Sequence, residues 1–172
     1  MKKFIMLSLA ATTLLTSLVA SAQDDKSKRP SPPAKVSVTT NSGNTITIDY
    51  SQPSVKGRTI GNDIAPYGKV WRTGANEATV FEISKDAKIN GKSLPAGKYG
   101  LYSIPGEKNW TIIFNKTWDQ SGLKYAEADD ALRVVVPAQK APSFTEKMTF
   151  TVDKSGKVVQ MWGNSSFAFT VK

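Results

Sequence analysis

The chain has no cysteine and no histidine. No disulfide can form, so stability has to come from an ordinary hydrophobic core, which a chain of this length can supply. The common soft and imidazole ligands for zinc, copper and haem are missing. Ser-His-Asp and Cys-His catalysis are excluded outright. Carboxylate chemistry and an all-oxygen metal site remain open. The one candidate for the latter, Asp153-Lys154-Ser155-Gly156, is too brief for a calcium loop and reads as a turn. No metal and no cofactor is expected.

Long apolar runs are also scarce. The one that stands out, residues 4–19, is uncharged, follows Lys2 and Lys3, and leads into Ala20-Ser21-Ala22. This is the layout of a cleaved secretory signal, with Gln23 as the first mature residue. The run is short for a membrane span and is studded with Ser and Thr. Removal of 1–22 leaves 150 of the 172 residues. A soluble periplasmic or secreted protein is expected, with no stable membrane insertion after cleavage. Acidic residues are few, 14 against 23 basic; without Lys2 and Lys3 the net charge is +7. The lysines are scattered through turns and strand faces, which argues for a solvated basic surface and against a nucleic-acid groove.

Residues 23–33 are polar and proline-rich and read as a flexible leader. A single domain is expected over 34–172. No convincing helix follows the signal. Short alternating segments are separated by Gly, Pro and Asn instead. Strands are expected at 35–40, 45–50, 78–83, 87–89, 98–104, 109–114, 132–136, 145–152, 158–162 and 167–171, with short pieces at 58–60 and 70–72. Ile46, Ile48 and Tyr50 should face inward. Tyr99 and Tyr102 differ in strand parity, so one should point in and one out. Residues 125–130 suit at most a helical turn. The fold class expected is all-β, an antiparallel two-layer β-sandwich of jelly-roll or Ig-like type.

The richest stretch chemically is 66–82, P-Y-G-K-V-W-R-T-G-A-N-E-A-T-V-F-E. Arg72 offers a planar donor fork for a carboxylate, phosphate or sugar diol, and Glu77 can orient it. The competing and favoured reading is a buried ion pair of Arg72 with Glu77, with Asp49 as a further partner, pinning the loop to the domain. Trp71, Trp110 and Trp162 read as core. Trp118 lies in a polar run where no strand demands it, and suits a lid or platform. Tyr67, Tyr102, Asn76 and Asn115 could add hydroxyl and amide contacts, or satisfy turn backbone. The candidate ligand-binding set is therefore Arg72, Glu77, Asn76, Trp118, Tyr67, Tyr102 and Asn115.

No catalytic residue is assigned. Glu77 and Glu82 leave a carboxylate hydrolase as a lesser option. The leading reading is noncatalytic binding of a carbohydrate, a peptide or an anionic small molecule. The alternative is docking to an envelope protein.

The run from Tyr67 to Thr79 closely resembles a signature of the DUF2911 family. So do N-G-K-S-L-P-A-G-K-Y at 90–99, W-T-I-I-F-N-K at 110–116, S-P-P at 31–33, I-D-Y-S-Q-P at 48–53 and V-K-G-R at 55–58. The resemblance spans nearly all of the mature chain. It implies an exported bacterial protein of unknown function and carries no catalytic residues with it. Gly61 departs from the bulkier residue that the family often places there, which implies a looser loop.

Overall fold

The computed structural model describes residues 25–172. The expected signal segment, 1–22, lies outside the described residues. Ten strands follow in order: β1 (Pro33–Thr39), β2 (Thr45–Ser51), β3 (Thr79–Ile83), β4 (Ala87–Ile89), β5 (Lys92–Leu94), β6 (Gly97–Ile104), β7 (Asn109–Asn115), β8 (Asp130–Pro137), β9 (Gln139–Val152) and β10 (Lys157–Thr170). Two short 3-10 turns, Lys26–Lys28 and Glu127–Asp129, are the only helical elements among the described residues. The second is the helical turn anticipated near 125–130.

The strands form an antiparallel six-stranded sheet in the order β1-β2-β3-β6-β7-β8, a long β9–β10 hairpin and a small β4–β5 hairpin. Residues directly opposite on neighbouring strands share a face. Ile48 stands opposite Phe81, Phe81 opposite Tyr99, Leu101 opposite Phe114 and Ile112 opposite Val134. That row is the inner face, and Ile46, Ile48 and Tyr50 point into it as the alternation required. The β9–β10 hairpin supplies the other half of the core. Phe150 meets the Tyr50 ring edge-on at 5.0 Å, Phe169 meets Phe81 at 5.9 Å and Phe114 at 5.6 Å, and Phe167 packs on Trp110 at 5.1 Å. Each such ring, removed from water, contributes roughly 1.5–3 kcal/mol. Trp110 and Trp162 are core residues, as their strand patterns suggested.

The strand expected at 145–152 begins earlier, at Gln139, and three other local features depart from the sequence reading. The segments expected at 58–60 and 70–72 are loop, touched only by isolated bridges from Ile60 to Ile64 and from Trp71 to Ser103. Lys92–Leu94 is a strand where only punctuation was expected; Asn90-Gly91 turns so tightly that the chain returns on itself. The two segments expected at 158–162 and 167–171 belong largely to one continuous strand, β10. Its inward parity changes along its length: Val158, Gln160 and Trp162 face in first, then Phe167 and Phe169. An uninterrupted strand cannot do this, because its side chains alternate strictly. The shift occurs at irregularities around Gly163, whose φ of 58° is in the left-handed region.

Tyr99 joins the main core, and Tyr102 points to the opposite face of the sheet as parity required. Tyr102 is nevertheless 1% exposed. The segment 116–129 crosses that outer face and buries it, with Tyr125 5.0 Å from the Tyr102 ring. The crossing is held to β8 by charge. Tyr125 donates to Asp130 at 2.7 Å, and the Arg133 guanidinium bonds both Asp130 and the Tyr125 oxygen, each at 2.7 Å. Burial, then the bond to Asp130, pushes the Tyr125 hydroxyl up to about 12.

Candidate functional site

The same irregularity that corrects the parity of β10 opens a groove. Between Gly163 and Ser165 on β10 there are two residue steps, and between their partners Thr145 and Lys140 on β9 there are five. The surplus residues of β9 are pushed out of the ladder. Phe144 rides on this bulge and is 57% exposed. A Cβ at residue 163 would lie 3.1 Å from the Ile60 tip, so glycine lets the loop that carries Ile60 approach β10 closely.

That loop forms the facing wall. It is tied to β9 by the amide of Val55, which donates to the Glu146 carbonyl at 2.9 Å, and by the amide of Lys56, which donates to the Glu146 carboxylate at 2.9 Å. Arg58 folds back on the loop: its Nε donates to the Val55 carbonyl at 3.0 Å and its Nη2 to the Ser54 carbonyl at 2.7 Å. Those two bonds order the guanidinium and leave Nη1 without a hydrogen bond among the described residues. The Asp63 carboxylate accepts from the Thr59 amide at 2.7 Å, and the Gly61 carbonyl accepts from the Tyr67 amide at 3.0 Å. The Tyr67 ring lies directly on Gly61, where a Cβ would come within 2.2 Å of it. Gly61, the position where the chain departs from the family pattern, makes room for the ring. Tyr67 stays 44% exposed.

The groove so enclosed has a volume of about 510 Å3. Its aromatic surfaces are Tyr67, Phe144 and part of Trp110; its cations are Arg58 and Lys140; its one carboxylate is Glu107. Gln139, Asn164, Thr59 and Ser165 add amides and hydroxyls. Neither Arg58 nor Lys140 has an acidic partner among the described residues.

Of the seven residues singled out from the sequence, Tyr67 lines this groove and the others lie elsewhere. The Arg72–Glu77 ion pair favoured above does not form. Glu77 is bound by Arg29 at 2.9 Å and Lys26 at 3.3 Å, both on the segment that precedes β1. The hydrogen bond from Arg29 is the main cause that holds its carboxyl down at about 2. Asp49, the other partner considered for Arg72, bonds Lys35 at 3.2 Å. The Arg72 side chain packs on Gly122, and its Nε is buried with no hydrogen-bond partner. Glu77 does line a second cleft, of about 190 Å3, together with Lys26, Arg29 and Asp49.

Asn76, at φ 60°, donates to the Ser31 carbonyl at 3.0 Å and to Ser51 Oγ at 3.1 Å. Asn115 is fully buried; its amide donates to the Ala126 carbonyl and to Asp130, both at 2.9 Å, and its oxygen accepts from the Thr117 amide at 3.0 Å. Tyr102 donates to the Lys124 carbonyl at 2.8 Å and accepts from Gln120 at 3.1 Å. Trp118 is 36% exposed, with the Lys98 ammonium 5.0 Å from its ring centre. Trp71 stacks on Trp162 at 5.2 Å with the planes 9° apart, the core-rim role expected of it. Glu82 pairs with Lys98 at 3.8 Å, so the two glutamates of the hydrolase option are bound to separate cations.

The 66–82 stretch is a tightly constrained junction. Thr73, β-branched and at φ 49°, is held there by a bond from its hydroxyl to Ser103 Oγ at 2.9 Å, while its carbonyl accepts from Thr79 Oγ1 at 2.9 Å. A Cβ at Gly74 would sit 2.6 Å from that same Thr79 hydroxyl.

Sequence reasoning missed Arg58, Lys140, Phe144 and Asn164. Phe144 was legible as an aromatic residue just before an expected strand, after Pro142, where no apolar alternation places it. Gly163, in the gap between two segments of opposite parity, was the signal for the bulge.

Fold and groove together define an all-β, mostly antiparallel domain with several sheets and an open aromatic groove. Among the described residues no helix is long and apolar enough to cross a membrane. The chain belongs to the family described as "Protein of unknown function (DUF2911)", whose model matches residues 31–171. No curated protein and no solved structure matches it.

Proposed function

We propose that this protein is an exported, noncatalytic binding domain that holds a small ligand in the groove between the 54–67 loop and the bulge of β9. The observation that carries this reading is the pair of exposed rings, Tyr67 and Phe144, on a cavity of about 510 Å3 beside two cations without acidic partners among the described residues. Apolar faces with a few convergent polar groups are the usual make-up of a ligand site. A carbohydrate, a peptide end or an anionic small molecule would suit it. Of the sequence candidates Tyr67 enters this site; we assign Asn76, Asn115, Tyr102 and Glu77 to scaffolding, since their polar atoms bond neighbouring chain.

The basic start, apolar run and small-residue site at the N-terminus support a periplasmic or secreted location, with the domain following a flexible leader. The face-to-face contacts of the six-stranded sheet and the β9–β10 hairpin support a two-layer β-sandwich. Docking to an envelope protein through Trp118 has less support, since Lys98 already covers that ring. Glu77 is held ionised at about 2, the reverse of the raised value a general acid needs, so that role is disfavoured for it.

Thermal-shift screening of the chain from residue 23 against mono- and oligosaccharides, short peptides and organic anions tests the reading. At least one class should raise the melting temperature of the native chain and fail to do so for Tyr67→Ala and Phe144→Ala. A panel without any shift that depends on these residues would refute it.

A further inference from the structure

We infer that the ligand of this groove is an acidic saccharide, a sugar chain carrying carboxylates; the inference rests on the binding reading above and names its ligand class. Beside the groove the β9–β10 ladder is broken: Lys140 stands opposite Ser165 and Thr145 opposite Gly163, and the β9 residues between them lie outside it. Pro142, in the bulge, has no amide hydrogen at all. A peptide that binds by adding a strand needs a regular, unbroken row of backbone donors and acceptors, and a wall interrupted by the bulge and by Pro142 does not present one. Recognition therefore falls to side chains.

Those side chains divide into two kinds. Tyr67 and Phe144 present ring surfaces to the groove, 44% and 57% exposed. The C–H face of a pyranose ring is apolar and flat enough to lie on such a surface, while its rim of hydroxyls needs amides, hydroxyls and a carboxylate. Gln139, Asn164 and Glu107 are of those types. The groove also holds Arg58 and Lys140, two positive charges against the single negative charge of Glu107. A neutral sugar would leave that excess unanswered. Arg58 is suited to a carboxylate because two of its nitrogens are fixed by the loop carbonyls at 3.0 and 2.7 Å, so little side-chain freedom is lost on binding.

Calorimetric titration of the chain from residue 23 with an oligogalacturonate, with neutral cellotetraose and with succinate separates the two components. The oligogalacturonate should bind, and more weakly as salt is raised. Cellotetraose and succinate should each bind at least about tenfold more weakly, one lacking the charge and the other the ring. Phe144→Ala and Tyr67→Ala should each weaken oligogalacturonate binding by about tenfold, and Lys140→Gln by about fivefold, with the melting temperatures of free Phe144→Ala and Lys140→Gln unchanged. Equal binding of cellotetraose that is lost in Phe144→Ala would overturn the acidic class and leave the groove reading standing. Equal binding of succinate would overturn the saccharide. Failure of all three to bind overturns the inference, and the broader panel then decides the groove reading separately.

Discussion

The 66–82 junction and the groove beside it make opposite use of their residues. The junction is rich in types that bind ligands, Trp, Arg, Asn and Glu, yet its polar atoms are mostly spent on the protein itself. Asn76 holds Ser31 and Ser51, Thr73 holds Ser103, and Glu77 is taken by Arg29. The groove is made of less conspicuous residues on four separate segments, and its rings stay exposed while its cations have no acidic partner among the described residues. What distinguishes the candidate site here is exposed ring surface beside cations without acidic partners among the described residues, not the residue type. A buried polar atom is stabilised only when bonded, so a junction that bonds most of its own atoms, Arg72 Nε excepted, has little left to offer a ligand.

The largest effect expected from breaking this contrast is at Asn115, another sequence candidate whose amide is consumed internally. Asn115→Ala removes three hydrogen bonds at a fully buried position, one of them to Asp130, and should destabilise the domain by about 2–3 kcal/mol in urea unfolding. Phe144→Ser, in the groove, should change stability by less than about 0.5 kcal/mol, because its ring is largely in water already. Comparable losses in the two variants would erase the distinction between scaffold and open site.

A smaller effect is expected at Gln160, which belongs to neither region. It is fully buried on β10 between Val158 and Trp162, and neither its amide nitrogen nor its oxygen has a partner among the described residues. Gln160→Met keeps the volume and removes two unbonded polar atoms, so it should stabilise by about 1 kcal/mol. A fall in melting temperature would show that the amide is bonded through an internal water, and would place Gln160 with the self-satisfied residues.

The smallest effect is at the edge of the junction. The Glu77 carboxyl is held at about 2 against an ordinary 4.5, so its contribution is fully present above pH 4.5 and is lost as pH falls towards 2. Because Glu77 is about half exposed, this amounts to about 0.5 kcal/mol after screening. Acid titration of unfolding stability in native protein and in Arg29→Gln should show that increment shrinking in the variant. Identical acid profiles would mean that Arg29 does not hold the segment before β1 to the junction.

Most of the strands were legible because half-buried strands leave a period of two in the sequence. Ala87–Ile89 was read to the residue, and Thr45–Ser51 and Asn109–Asn115 to within one. Three of the four tryptophans were placed on the core or its rim for the same reason. The site was less legible. Tyr67 was named, but Arg58, Lys140, Phe144 and Asn164 come together only through a bulge and a loop closure, neither of which has a periodicity. Tyr102 shows the limit of parity itself. Its direction was deducible, but its burial was not, because the segment that covers it carries no apolar pattern of its own.

By itself the sequence determined the all-β class, the inward faces of most strands, the absence of disulfides and of histidine or cysteine chemistry, and the family. Each of these depends on local pattern or on composition. Tertiary structure alone decided that Arg72 and Glu77 do not pair, that segment 116–129 buries the outer face, and that two parity-mismatched stretches of β10 join at Gly163 beside an open groove. Those outcomes depend on which distant residues meet in space, and an ion pair or a groove wall carries no mark of its partner in the chain.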